Sequence, residues 1–341
     1  MNCARPGCPD HSRGPAYHIE CMGSRAAHVP RAPWNMYRIQ NNLTDLKMNC
    51  PSCEAPVNPD AYVCEHCGAL YKSAVPASSQ SKALAAAYTS YAASPDLAVV
   101  SDIGRRHRTN QDAGTVGYGL DGAVILMVAD GVSSSDNAEI ASSIGVQAAH
   151  MTLSTANAAE SAKATMHRAI SDADSSVLSV PYINTLMAEP QTTIIAALVR
   201  DRKATIGWVG DSRAYVISNL DGQLLTRDDS WFSDMVDSGM MTREQALADE
   251  RSHVITQCLG MHDQEMEIHL TEIELAPGQL LLLASDGLWS YFEEPRALAL
   301  AINTAPPGMD MLGICKHLAQ LANTAGGYDN ITIALFRYGS N

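Results

Sequence analysis

Apolar residues in this chain gather into short unbroken runs that end on acids. The clearest is AVILMVADGV over 123–132, where seven apolar residues lead into Asp130-Gly131. Such a run, rich in Val and Ile, reads as a strand buried on both faces. The pattern returns in LLLLASDG over 280–287, ending in Asp286-Gly287. Asp329 precedes another apolar stretch, ITIALF over 331–336, and Asp112 closes Asn110-Gln111-Asp112. Further strands are predicted at 97–102, 192–199, 204–210, 213–218 and 267–275. Residues 104–113 read as a loop, and Asp221-Gly222 as a hairpin turn. Helical spacing covers 136–178, with Asp136 or Ser135 as N-cap, then 294–303 and 309–323; 230–260 reads as helical and irregular. Strand runs interleaved with helices, without regular βαβ alternation, predict an α+β layered sandwich.

A lone Asp-Gly is more often a hairpin turn than a ligand pair. Two such pairs with the same apolar lead-in, plus two acids at strand edges, shift the balance. An acid at the end of a core strand is costly unless something balances its charge. Carboxylates are hard oxygen ligands that suit Mg²⁺ or Mn²⁺.

The 341 residues are enough for one catalytic domain and a small accessory module. Net charge is -14, which argues against a nucleic-acid binder. No apolar run has the length of a membrane span, and the first residues do not resemble a signal peptide. The nine cysteines include two CxxC pairs. Without an export signal, that spacing favours metal binding in a reducing cytoplasm over disulfides.

Charge is unevenly spread. Residues 1–47 hold six bases and three acids, against 17 bases and 34 acids in the rest. With little periodicity, 1–47 reads as a disordered N-terminal extension, and a natural start at Met48 is one expectation. Cys50, Cys53, Cys64 and Cys67 are spaced to place four thiolates around one structural Zn²⁺, so 48–71 reads as a zinc ribbon. Its insert carries two acids and no base, which favours docking a protein partner over nucleic acid. The Ala- and Ser-rich stretch 72–95 reads as a linker, with a short helix conceivable over 81–93. Cys258 and Cys315 lie in apolar contexts expected of core residues.

Six segments in order resemble the metal-dependent serine/threonine phosphatases of the PP2C type. They are Ser101-Asp102-Ile103-Gly104 through Asn110-Gln111-Asp112; Asp130-Gly131-Val132; Thr192-Thr193; Gly210-Asp211-Ser212-Arg213; Ser285-Asp286-Gly287-Leu288; and Asp329-Asn330. The resemblance implies a PP2C-like α-β-β-α sandwich over 96–338, two antiparallel sheets flanked by helices with a metal pair at one end. It implies that Asp130 bridges two Mn²⁺ or Mg²⁺ ions with the Gly131 carbonyl, that Asp286 and Asp329 hold one ion, and that Asp112 orients the attacking water. Water would then attack phosphorus directly, without a phosphoenzyme.

Departures accompany the likeness. An Arg is expected five residues before Asp112; His107 stands there between Arg106 and Arg108, and one of the three is expected to grip the phosphate. Gln111 replaces a frequent Glu. Ser133, Ser134 and Ser135 replace glycines. Ala188 occupies the place of a third-metal acid, while Asp211 is either a third-ion ligand or a structural turn. The expected substrates are phosphoserine and phosphothreonine proteins, opposing serine/threonine kinases, with no nucleic-acid or membrane partner. The rival reading is a degenerate phosphatase fold acting as a phosphoprotein scaffold; the retained acids Asp112, Asp130, Asp286 and Asp329 favour the enzyme.

Overall fold

The computed structural model describes residues 48–49, 56–57, 88–182, 188–262 and 266–339. The chain divides into two units, Met1–Ala74 and Val75–Asn341. In the first, β1 (Met48–Asn49) pairs antiparallel with β2 (Pro56–Val57). The four CxxC cysteines, Cys50, Cys53, Cys64 and Cys67, lie outside the described residues, as does the expected extension 1–47.

The second unit begins with β3 (Tyr88–Ser94) and β4 (Leu97–Asp102), then β5 (Asp112–Tyr118) and β6 (Val124–Asp130). Two helices follow, α1 (Ala138–Ser154) and α2 (Ala162–Leu178). Next come β7 (Ile194–Arg200), β8 (Lys203–Val209), β9 (Arg213–Ser218) and β10 (Asp221–Leu224). The short helices α3 (Trp231–Asp237) and α4 (Arg243–Leu247) form a flap. Its two ends are tied by a Ser230–Ile255 bridge and by the Trp231 N–H donating to Val254 O. The chain closes with β11 (His269–Glu274), β12 (Leu280–Ala284), α5 (Asp286–Trp289), α6 (Pro295–Asn303), α7 (Met311–Ala325) and β13 (Ile331–Arg337).

The strands of this second unit form two antiparallel sheets, β10-β9-β12-β13-β4-β3 and β11-β8-β7-β6-β5. Three apolar clusters explain why the core strands have no polar face. Ile125, Met127 and Ala129 of β6 pack against Ala141, Val146, Met166 and Ile170 of α1 and α2. Leu126 and Val128, pointing the other way, meet Leu281, Leu283 and Ala334 of the opposite sheet. On the far side, Leu282, Ile331 and Ile333 pack against Leu298, Ile314 and Leu318 of α6 and α7. The result is helices, sheet, sheet, helices. Complete burial of Ile125, Leu126, Met127 and Val128 stabilises by about 1.5–3 kcal/mol for each side chain.

Several boundaries differ from the expectations. Residues 88–94, inside the stretch expected to be a linker, form an edge strand of the six-stranded sheet, so the sandwich begins before residue 96. Tyr88 and Tyr91 stay exposed, and a half-covered edge carries little hydrophobic signal. Strand β5 falls in the stretch read as loop and its sequel, because Gly114 and Gly117 dilute the pattern. At Gly114 a Cβ would lie 2.7 Å from Thr332 Cγ2 and 2.9 Å from Val99 Cγ2, so the close approach of the sheets requires glycine. The helical stretch 136–178 is two helices, broken where Asn157 Oδ1 accepts from the Ala159 N–H. The residue before α1 is Asn137, at φ 53°, with no side-chain cap; Ser135 and Asp136 instead bond to Val132 and Ala188. The β9–β10 hairpin turns on Asn219-Leu220, one step before Asp221-Gly222, which already pairs in the ladder.

Candidate active site

The acids singled out from the sequence meet at one end of the sandwich, each placed by a strand terminus. Asp112 opens β5 and Asp130 closes β6, and the two are partners on the same rung of the ladder. Asp286 follows the end of β12, and Asp329 lies two residues before β13. Asp211 sits in the turn between β8 and β9.

Neighbouring hydroxyls and amides hold these backbones. The Asp130 N–H donates to Thr193 Oγ1 at 3.0 Å, while its carbonyl accepts from the Thr193 N–H at 2.8 Å and Thr192 Oγ1 at 2.9 Å. The Gly131 N–H donates to Gln111 O at 3.1 Å, and a Cβ there would sit 2.5 Å from Ala138 O. Ser285 Oγ donates to Asp112 Oδ2 at 2.7 Å. Asn330 straps the preceding loop: its Nδ2 donates to Ile103 O and Thr109 O, and its Oδ1 accepts from the Gln111 N–H. The Trp289 indole donates to Asp211 O at 3.1 Å. Thr193, Ser285 and Asn330 lie within the motifs read from the sequence, and Trp289 directly follows one of them. Nothing local marked them as the supports of those acids.

The electrostatics show that these carboxyls share one space. Burial raises Asp112 to about 7; its Ser285 and Thr332 contacts oppose this, and the charges of Asp286 and Asp329 add to it. Burial raises Asp286 to about 6, reinforced by Asp329 and opposed by a hydrogen bond with Asp130. Asp130 is pushed well above the ordinary carboxylate range by burial, then by Asp112, Asp286, Asp211 and Asp329. Asp211 is raised by burial and by Asp286, so its acid faces the cluster.

Among the described residues, no three acid, histidine or cysteine side chains close into a ready-made cation cage. The donor set nonetheless fits divalent cations. Asp112 Oδ1 and Asp286 Oδ1 are buried without a hydrogen-bond partner, and the charge of Asp286 bears on Asp130. Carboxylates in this state need protons or cations between them, and oxygen-only donors suit Mg²⁺ or Mn²⁺.

Of the three candidate phosphate-gripping residues, His107 reaches the cluster, with Nε2 3.2 Å from Asp329 Oδ1. Arg106 lies over the Tyr328 ring at 5.2 Å, and Arg108 is exposed. Cys258 and Cys315 are free and buried, as expected of core residues. No helix among the described residues is long and apolar enough to cross a membrane.

Comparisons agree with this geometry. The model of the protein phosphatase 2C family matches residues 101–323. The serine/threonine phosphatase stp of Listeria monocytogenes is 27% identical over 240 residues, 69% of this chain and 92% of that protein. The Streptococcus agalactiae serine/threonine phosphatase superposes with TM-score 0.63 and 26% identity, covering 73% of this chain and 98% of that one. The catalytic domain of the phosphatase PstP, solved in complex with two manganese ions, gives TM-score 0.59 and 25% identity, covering 74% and 98%. The match spans well over half of the sequence and includes five of the six motifs, all but Asp329-Asn330, so this chain belongs to the protein phosphatase 2C family of metal-dependent protein serine/threonine phosphatases.

Proposed function

We propose that the acid cluster at the end of the sandwich hydrolyses phosphoserine and phosphothreonine monoesters in proteins by direct attack of water. In this reading Asp130, the Gly131 carbonyl, Asp286 and Asp329 hold two Mn²⁺ or Mg²⁺ ions. The observation that supports it best is the buried meeting of Asp112, Asp130 and Asp286, two of whose oxygens lack any partner. Bound there, a pair of divalent cations supplies Lewis acidity that generates a nucleophile from water at neutral pH and neutralises phosphoryl charge.

The chain's own residues do the remaining work. Asp112 is anchored by Ser285 and orients the attacking water through its free Oδ1. His107, at the rim beside Asp329, donates to a phosphoryl oxygen, and Arg108 contributes positive charge nearby. Val132 follows Asp130-Gly131 and carries no proton to give, so the leaving alkoxide takes its proton from water. Asp211, raised by burial and then by its acidic neighbours, joins the same field and serves as a candidate ligand for a further ion.

The zinc ribbon belongs to this proposal on sequence grounds alone. Two CxxC pairs, Cys50/Cys53 and Cys64/Cys67, form a closed tetrathiolate site whose role is structural, and the acidic insert docks a protein partner. Phosphoproteins made by serine/threonine kinases in the cytoplasm are the substrates this reading implies. Hydrolysis of a phosphothreonine peptide with added Mn²⁺ tests the core claim. Turnover that persists in EDTA would overturn the metal-dependent mechanism.

A further inference from the structure

A buried carboxylate outside the acid cluster joins three parts of the fold that the reaction needs to keep in register. Asp229 is 5% exposed and sits at the root of the flap. Its Oδ2 accepts from the Gly210 N–H at 2.8 Å and from Gln257 Nε2 at 3.1 Å. Its Oδ1 lies 2.8 Å from His269 Nε2. The backbone repeats two of these links: the Asp229 N–H donates to Gly210 O, and its carbonyl accepts from the Thr256 N–H. Three donors on one carboxylate are a well-satisfied site, of the kind that holds its neighbours in one arrangement.

Each arm leads somewhere specific. Gly210, at φ 106°, immediately precedes Asp211, whose acid faces Asp286. A Cβ at Gly210 would lie 2.6 Å from Thr193 Cγ2, so this turn is wedged against the residue that holds Asp130. Gln257 lies on the segment that returns from the flap and also bonds the backbone of Glu267 in both directions. His269 opens β11 opposite Trp208, and the two rings stack at 5.2 Å. That stack holds the imidazole by its face, while the carboxylate meets its edge at Nε2.

We propose that Asp229 is a positioning residue for the phosphatase reaction, setting the Asp211 turn through Gly210 and the closed root of the flap through Gln257. His269 holds the carboxylate oriented toward both. The proposal rests on the phosphatase reading. It divides the two arms by function: the Gly210 arm serves the reacting end, and the Gln257 arm serves docking of a polypeptide against the flap.

The test uses the full chain with Mn²⁺ and two substrates, para-nitrophenyl phosphate and a phosphothreonine peptide. Asp229→Ala is expected to lower kcat on both by about tenfold, in line with the loss of one charge-assisted hydrogen bond of about 1.5 kcal/mol. Asp229→Asn keeps an acceptor for Gly210 and Gln257, and is expected to recover most of that loss. Gln257→Leu cuts the flap arm together with its two bonds to the Glu267 backbone and leaves the Gly210 arm intact; it is expected to raise KM for the peptide and leave both constants for the small ester unchanged. His269→Phe keeps the ring on Trp208 and removes the donor, and is expected to fall between the alanine and asparagine variants. Amide exchange at Gly210 reads the anchor whether or not the chain turns over, and should quicken about tenfold in Asp229→Ala. Unchanged Gly210 exchange in that variant, or equal kcat losses on the small ester in Gln257→Leu and Asp229→Ala, would overturn the proposal. If Asp229→Ala does not fold, Gln257→Leu and His269→Phe still decide it. Failure of the wild type to hydrolyse either substrate would count against the phosphatase reading, and the exchange measurement would still judge the anchor.

Discussion

Asp112 and Asp130 stand opposite each other on the terminal rung of the β5–β6 ladder, in adjacent strands of one sheet. Directly opposed like charges destabilise a sheet, so this rung is tolerable only when protons or cations sit at its end. The same reasoning extends across the sandwich to Asp286, just past the end of β12 of the other sheet, whose charge adds to the rise at Asp130.

Removing one acid therefore removes the reason the others are tolerated. Asp286→Asn is expected to cut hydrolysis of para-nitrophenyl phosphate by about a hundredfold or more at saturating Mn²⁺, the scale on which losing a preorganised charge usually acts. The same variant should bind Mn²⁺ more weakly in calorimetry. Wild-type turnover by this variant would exclude Asp286 from the site.

Stability without metal should fall as pH rises. Asp112 and Asp286 titrate near 7 and 6 in the folded chain, against about 4 for an unperturbed carboxyl. Because the folded values are the higher ones, the folded state binds these protons more tightly. That contribution is complete below about pH 4 and is lost as pH climbs through 6 and 7. The thermal midpoint in EDTA is expected to drop between pH 5 and about 8 relative to a Mn²⁺-loaded sample. A flat difference between the two across that range would contradict the burial of these acids.

Gly287 lies where Asp286 enters α5, and a Cβ on it would sit 1.8 Å from Asn330 O. Asn330 in turn holds the loop that leads to Asp112. Gly287→Ala should therefore cost about 1–3 kcal/mol in denaturant unfolding, the usual range for overpacking. It should also lower kcat, by shifting Asp286 and Asp112 together. A stable, fully active alanine variant would show that the backbone there has room to yield.

The zinc ribbon proposed from the two CxxC pairs predicts a separable metal. About one Zn²⁺ per chain is expected by metal analysis, lost in Cys50→Ser with Cys53→Ser, while ester hydrolysis stays near the wild-type rate. Loss of turnover in that double variant would show that the proposed ribbon is not an independent module.

The sequence alone was enough to identify β6, β12 and β13, because strands buried on both faces have no polar positions to confuse the period. It also marked Asp130 and Asp286, since an acid ending such a run stands out against its surroundings, and added Asp329, just before such a run, and Asp112, at the close of Asn110-Gln111-Asp112. Edge strand β3 and glycine-diluted β5 escaped, for their signal lies in pairing and in close sheet contact rather than in hydrophobicity. Tertiary structure decided which polar residues support the acids. Ser285 touches Asp112 across 173 positions, Asn330 bonds Gln111 across 219, and Asp229 reaches His269 across 40. A hydrogen bond between distant residues leaves no periodic trace in the chain, so only the folded arrangement reveals it.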